Sequence, residues 1–184
     1  MTSVKKIKVE NIKKEAESLK VGDKILLTGF IYTSRDAAHK RISELISKNM
    51  DLPFEIKDAV IYYAGPTPAK ENQAIGSCGP TTSGRMDKFA PGLLDLGLAA
   101  MIGKGERNQE VRDAIVRNKA IYFCAIGGAG ALASKCIKSC EVIAFEDLGC
   151  ESVKKLYIEE FPLVVANDSK GGDIFITGRE EYRK

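Results

Sequence analysis

The sequence has no tryptophan, a single histidine (His39) and no Cys-x-x-Cys pair. Aromatic residues make up only 7% of the chain, too few for a base-stacking platform that grips single-stranded nucleic acid. The charge excess is small as well. A net charge of +3 and a pI near 8.5 fall short of the basic surplus that marks a nucleic-acid binder. No apolar run approaches the ~18–20 residues of a membrane-spanning helix. The opening residues, MTSVKKIKVENIKKE, lack the apolar core of a secretory signal. The expectation is therefore a cytoplasmic chain with neither a nucleic-acid nor a membrane partner. The five cysteines, at 78, 124, 136, 140 and 150, read as reduced thiols rather than a disulfide framework. Cys136 and Cys140, four apart on an expected helix, make a metal pair conceivable, but one histidine and no paired Cys-x-x-Cys argue against zinc.

What the chain does contain is ordinary globular material: 184 residues, 44% hydrophobic and 29% charged. That length suits one domain over 1–184 with a core large enough to need no disulfide or metal. Residues 1–20, rich in Lys and Glu, read as a peripheral N-terminal segment with a short strand at Ile7 to Val9. Apolar runs predict strands at Lys24–Tyr32, Ala59–Tyr63, Leu98–Ile102, Ala120–Ile126, Glu141–Phe145, Leu163–Ala166 and Asp173–Thr177. Between them, helices are predicted from a Thr33 or Ser34 cap to Ser47, from Met86 to Leu96, from Asn108 to Asn118 and from Gly130 to about Ser139. Pro91 opens or kinks the second of these. Strands alternating with helices predict the α/β class. Several connections are too short for a crossover helix, so the sheet is expected to be mixed and flanked by helices.

Three segments join glycine or a strand end to charge: Ser34-Arg-Asp-Ala-Ala-His39, Gly79-Pro-Thr-Thr-Ser-Gly-Arg-Met-Asp87 and Gly103-Lys-Gly-Glu106. Ligands of open α/β sheets gather beyond the carboxyl ends of strands. Each segment offers a cation there: Arg35, Arg85 and Lys104. Together they suit a small polyanion such as a dicarboxylate or phosphate. Taken singly, each is equally well a solvated surface cation. The hydroxyls of Thr81, Thr82 and Ser83 either satisfy local backbone groups in a turn or serve as substrate ligand and base. His39 shares a helical face with Arg35 and Asp36, either bonded to a neighbour or touching substrate or another subunit. Gly127-Gly-Ala-Gly130 does not satisfy the dinucleotide fingerprint and reads as close packing at a helix N-terminus, where an anion can still sit.

In this order, the three segments resemble the C-terminal domain of class I iron–sulfur fumarases. The same domain occurs as the beta subunit of two-chain fumarases and of L(+)-tartrate dehydratase. The likeness runs from about Gly22 to Thr177. It implies a swivelling β/β/α domain that works with a larger alpha subunit, in heterotetramers of two alpha and two beta chains. In the family, three cysteines of that partner hold a [4Fe–4S] cluster whose open iron acts as a Lewis acid on the substrate. No metal ligand and no cofactor is then expected from this chain by itself. By position, Arg35, Arg85 and Lys104 resemble ligands of the substrate carboxylates, Thr82 a further substrate contact, and Thr81 the base that takes the C3 proton of malate. The implied reaction is the reversible hydration of fumarate to (S)-malate. Dehydration of tartrate and a non-catalytic anion-binding module are the alternatives. A lone chain is expected to leave apolar docking surface uncovered and to associate with itself there.

Overall fold

A computed structural model describes residues 4–126 and 128–181 of the chain. In chain order the elements are β1 (Lys5–Lys8), α1 (Ile12–Glu15), β2 (Lys24–Thr33), α2 (Asp36–Ser47), β3 (Val60–Tyr62), α3 (Ala90–Asp95), β4 (Ala100–Gly103), α4 (Gln109–Arg117), β5 (Ile121–Cys124), α5 (Gly130–Cys136), β6 (Ile137–Ala144), β7 (Val153–Asn167) and α6 (Ile174–Glu181). Short 3-10 turns occupy Val9–Asn11, Ser83–Met86 and Glu146–Glu151. The class is α/β and the sheet is mixed, as the alternation predicted.

Two long strands organise the sheet. β2 and β7 run antiparallel from Lys24 opposite Val164 to Thr33 opposite Lys154, with a bulge between Leu27 and Gly29. The far edge of β2 is shared: Ile25–Thr28 pair with β1, and Tyr32 and Thr33 pair with β3, both parallel. The far edge of β7 is shared in the same way between β6 and β5, both antiparallel to it. β3, β4 and β5 are parallel neighbours. The order β2-β3-β4-β5-β7 therefore returns to β2, and these five strands close on themselves. Closure leaves no free edge among the five for another chain to extend.

Alternation along the short parallel strands divides the core in two. Val60, Tyr62, Ala100, Ile102, Ile121 and Phe123 join one cluster with Ile25, Leu27, Ile31, Leu156 and Phe161. The residues between them, Ile61, Met101 and Tyr122, join a second with Ile42 of α2, Leu94 of α3 and Ile115 of α4. A strand buried on both faces reads as an unbroken apolar run, which is why Ala59–Tyr63 and Ala120–Ile126 were legible.

Several boundaries differ from expectation. The reading of residues 1–20 as a peripheral segment gives way to an integrated one: β1 extends the sheet, and Ile12, Ala16 and Leu19 are fully buried. The helix expected to reach Ser139 ends at Cys136, and Cys140 lies in β6, so the two thiols share no helix face. Only the last residues of β7 were predicted as strand. Lys154-Lys155, Glu159-Glu160 and Pro162 masked the buried Leu156, Ile158 and Phe161. The predicted strand Asp173–Thr177 is instead the start of α6. Asp173 Oδ1 accepts the Phe175 N–H at 2.8 Å, a local cap that overrides the β-branched Ile174, Ile176 and Thr177. Met86–Leu96 is a 3-10 turn followed by α3, with Pro91 in its first turn. The expected Gly127–Gly130 helix opening falls partly on residue 127, outside the described residues; α5 itself begins at Gly130.

Candidate functional site

The three glycine-and-charge segments meet because they follow neighbouring parallel strands. Ser34 and Arg35 follow β2, the loop containing Thr81 folds back over β3, and Lys104 follows β4. Backbone contacts weld the second and third. Thr81 N–H donates to Tyr63 O at 2.7 Å, and Ala64 bridges Pro80. Thr82 bridges Lys104, and Ser83 N–H donates to Lys104 O at 2.9 Å. The turn that puts Thr81 and Arg85 on one side is thus an extra rung laid across the strand ends.

The side chains converge around one carboxylate. Asp36 Oδ2 lies 3.1 Å from Arg35 Nε and 3.1 Å from Arg85 Nη2. Arg85 Nη2 also donates to Thr81 Oγ1 at 2.6 Å. Arg35 is held on its other side by Glu151 at 3.3 Å. Its guanidinium has room because residue 65 is glycine; a Cβ there would lie 2.8 Å from Arg35 Nη1. Thr81 is half-buried, whereas Thr82, Arg85 and Lys104 are exposed. Lys104 makes no ion pair among the described residues. The five predicted residues are therefore joined in one network at the strand ends: Arg35, Arg85 and Thr81 through side chains, and Thr82 and Lys104 through backbone.

Beneath them is a buried polar layer that the motifs did not reveal. Arg107 is 3% exposed, and its Nε donates to Asp87 Oδ1 at 2.7 Å. Asp87 Oδ2 accepts the Asn108 N–H at 2.7 Å. The Arg107 guanidinium lies over the rings of Tyr63 and Tyr122, 5.3 and 4.9 Å from their centroids. Tyr122 Oη is 2.8 Å from both Gly105 O and Ser83 Oγ. The carbonyl can only accept, so Tyr122 donates to it and the Ser83 hydroxyl donates to Tyr122. Ser83 Oγ in turn accepts the Lys104 N–H at 3.1 Å. The signal for this layer was the acid at the end of Gly79–Asp87 and the base just after Gly103–Glu106, but their pairing needs the fold. Asp36 and Glu151 were likewise not assigned a role; Glu151 lies in a turn with no motif.

His39 is a core residue rather than a member of this network. It is 1% exposed, its ring meets Tyr63 edge-on, and Nδ1 is 2.7 Å from Ser34 Oγ. Nε2 is buried with no hydrogen-bond partner among the described residues. Burial, reinforced by the charge of Arg107, pushes its pKa down to about 4, so it is neutral at pH 7. The helix cap expected from Thr33 or Ser34 is absent because both hydroxyls are used elsewhere: Ser34 meets His39, and Thr33 Oγ1 accepts the Lys154 N–H. The cap comes from Glu151, whose Oε2 accepts the Ala37 N–H at 2.8 Å.

Cys78, Cys140 and Cys150 are grouped about Lys154. Cys78 is buried, Cys150 is exposed and the other three lie between. Burial pushes Cys78 up to about 12 and raises Cys124, Cys136 and Cys140, disfavouring the thiolates that ligate iron. Among the described residues no three His, Cys, Asp or Glu side chains are grouped to hold a metal. Among the described residues there is no ligand set that fits an iron–sulfur cluster.

A closed mixed sheet that gathers two arginines, a lysine and paired threonines at adjacent strand ends defines the class of the molecule as α/β. The chain belongs to the family described as Fumarase C-terminus, whose model matches residues 1–178. It is 42% identical over 157 residues to the anaerobic class I fumarate hydratase of Escherichia coli strain K12, covering 84% of this chain and 29% of that one. It is 36% identical over 179 residues to fumarate hydratase 2 of Leishmania major, covering 95% and 32%. It is 38% identical over 169 residues to a protein named putative L(+)-tartrate dehydratase subunit beta from Methanocaldococcus jannaschii, covering 89% of this chain and 87% of that one. The chain thus spans less than a third of these two fumarate hydratases and most of the beta subunit. These relatives bear hydro-lyase names, and no helix among the described residues is long and apolar enough to cross a membrane.

Proposed function

We propose that the chain is the beta-type subunit of a two-chain class I fumarate hydratase, a swivelling domain that catalyses the reversible hydration of fumarate to (S)-malate with an alpha partner. The observation that carries the reading is the 2.6 Å contact from Arg85 Nη2 to Thr81 Oγ1 among cations gathered at adjacent strand ends. A threonine hydroxyl is a feeble base at neutral pH. A guanidinium donating to its oxygen stabilises the alkoxide and so brings it into range.

Arg35, Arg85 and Lys104 bind the two carboxylates of the substrate, and Thr82 contacts it beside them. In dehydration, Thr81 takes the C3 proton of malate while the C2 hydroxyl leaves, and the double bond forms between them. In hydration hydroxide adds to C2, the double-bond electrons move to C3, and the Thr81 hydroxyl returns its proton there. Proton loss beside a carboxylate builds negative charge there, and cations aimed at it stabilise the transition state more than the ground state. In this reading the [4Fe–4S] cluster belongs to the alpha partner, as the family resemblance implies.

One observation favours a second reading, the beta subunit of L(+)-tartrate dehydratase: the relative matched over nearly its full length bears that name. The test is co-expression with the alpha partner, anaerobic reconstitution with iron and sulfide, and side-by-side assay of malate, fumarate and tartrate. Preferred turnover of malate and fumarate is the expected result. Preferred turnover of tartrate selects the second reading, and no turnover of any of the three by the reconstituted complex overturns both.

A further inference from the structure

The turn that carries Glu151 belongs to no motif, yet it reaches the candidate site. Glu151 Oε1 lies 3.3 Å from Arg35 Nη2, and Oε2 accepts the N–H of Ala37, 114 residues earlier in the chain. The turn is bent by left-handed backbone at Phe145 (φ 55°) and Gly149 (φ 58°). It is held from behind by Lys154, which is 8% exposed. Lys154 Nζ lies 3.0 Å from Gly149 O, 3.3 Å from Cys150 O, 3.3 Å from Ser152 O and 2.6 Å from Ser152 Oγ. Four oxygens around an ammonium with three protons make a filled cage, which fixes the turn on both sides of Glu151.

We propose that Glu151 is a positioning residue for Arg35 and that Lys154 acts through it by holding the turn. The inference rests on the reading of Arg35 as a substrate-carboxylate ligand. A guanidinium has five N–H donors in a rigid fork. Asp36 engages Nε and Glu151 engages Nη2, so the direction of the fork is fixed, with Nη1 lying beside Gly65 and making no ion pair among the described residues. An arginine oriented in advance loses less side-chain freedom when substrate arrives. Without Glu151 the same charge is present but its direction is not, and binding weakens while the chemical step does not.

Glu151→Gln separates this role from helix capping, because glutamine keeps an acceptor for Ala37 N–H and loses the charge on Arg35. In the reconstituted alpha–beta complex with malate, KM of Glu151→Gln rises about tenfold, the size of one charge-assisted hydrogen bond, with melting temperature nearly unchanged. Its kcat stays within about twofold, the signature of lost uniform binding. Lys154→Met raises KM as well, and the double variant raises it no further than the larger single change. Arg35→Ala sets the ceiling. If Arg35→Ala raises KM and Glu151→Gln does not, the positioning role is overturned while Arg35 stays a ligand. If Arg35→Ala leaves KM unchanged, the ligand reading fails and the inference with it. A double variant whose KM effect is the product of the two singles overturns the claim that Lys154 acts through Glu151. Should Lys154→Met not fold, Glu151→Gln measured against Arg35→Ala still decides the central point.

Discussion

Thr81 and Arg85 touch, but their substitutions should separate. Thr81→Ala removes the proposed base and leaves the cations, so kcat should fall by about 10²–10⁴ with substrate affinity nearly intact. Arg85→Ala removes a carboxylate ligand and the donor to Thr81, so binding and kcat should both suffer. Losing one such charge costs on the order of 2–5 kcal/mol, or about 30- to several-thousand-fold in kcat/KM. Arg85→Lys should recover only part, because an ammonium cannot serve Asp36, Thr81 and a carboxylate through one planar fork. Normal kcat in a folded Thr81→Ala complex would remove Thr81 from the mechanism. His39 offers a test away from substrate. Its native pKa of about 4 lies below the ordinary 6.5, so the folded state excludes a proton that the unfolded state accepts. Its contribution to stability is therefore complete above pH 6.5 and is lost as pH falls from 6.5 towards 4. Between pH 7.5 and pH 5 that loss is about 2 kcal/mol. Urea unfolding of wild type and His39→Gln across this range should give a shallower pH dependence in the variant; equal slopes would mean that His39 is not buried neutral.

At the scale of elements, the candidate site depends on how the end of β4 meets the Ser83 turn. Gly103 ends β4, and a Cβ there would run into the Ser83 side chain and lie 2.9 Å from the Tyr63 ring. Gly103→Ala must therefore push Ser83 away and break its link to Lys104, loosening the rung that presents Thr82 and Lys104. Destabilisation of about 1–3 kcal/mol is expected, as for overpacking elsewhere. Gly92, inside α3, meets nothing within 4 Å. Gly92→Ala should be neutral or stabilise by about 0.4–1 kcal/mol. Thermal melts of the pair make the comparison, and equal effects would contradict the close approach at Gly103. The same scale explains α2. Its cap is a carboxylate from the turn before β7, so the helix that carries Arg35 and Asp36 is begun by a tertiary contact rather than by its own sequence.

At the scale of the molecule, the chain is a closed sheet with its candidate site at adjacent strand ends and no iron-binding cage among its described residues. The chain alone should fold, remain colourless and show no hydratase turnover. With the alpha partner under anaerobic conditions, sedimentation should show a complex. Turnover accompanied by an iron–sulfur absorption band from this chain alone would refute the division of labour between two chains. Apolar side chains are available for association: Ile126 and Leu132 are exposed and line a shallow groove with Phe161 and Pro162. Sedimentation of the lone chain over a range of concentrations tests the expected self-association.

The sequence by itself determined whatever is written locally. Unbroken apolar runs marked β2 to β5, an apolar stripe marked α2, and motif strings pointed to the family and proposed Arg35, Thr81, Thr82, Arg85 and Lys104 as site residues. These signals survive in one dimension because each depends on neighbours a few positions apart. Contacts across the chain decided the rest. The first two-thirds of β7 was hidden because its charged and proline residues look like loop until β2 is laid beside them. α6 was misread because β-branched side chains outvoted one capping aspartate. Ring closure, the Arg107–Asp87 pair and the reach of Glu151 to Arg35 join residues up to more than a hundred positions apart. Their hydrogen bonds carry no local periodicity, and only the folded chain, which must satisfy every polar group it buries, decides who partners whom.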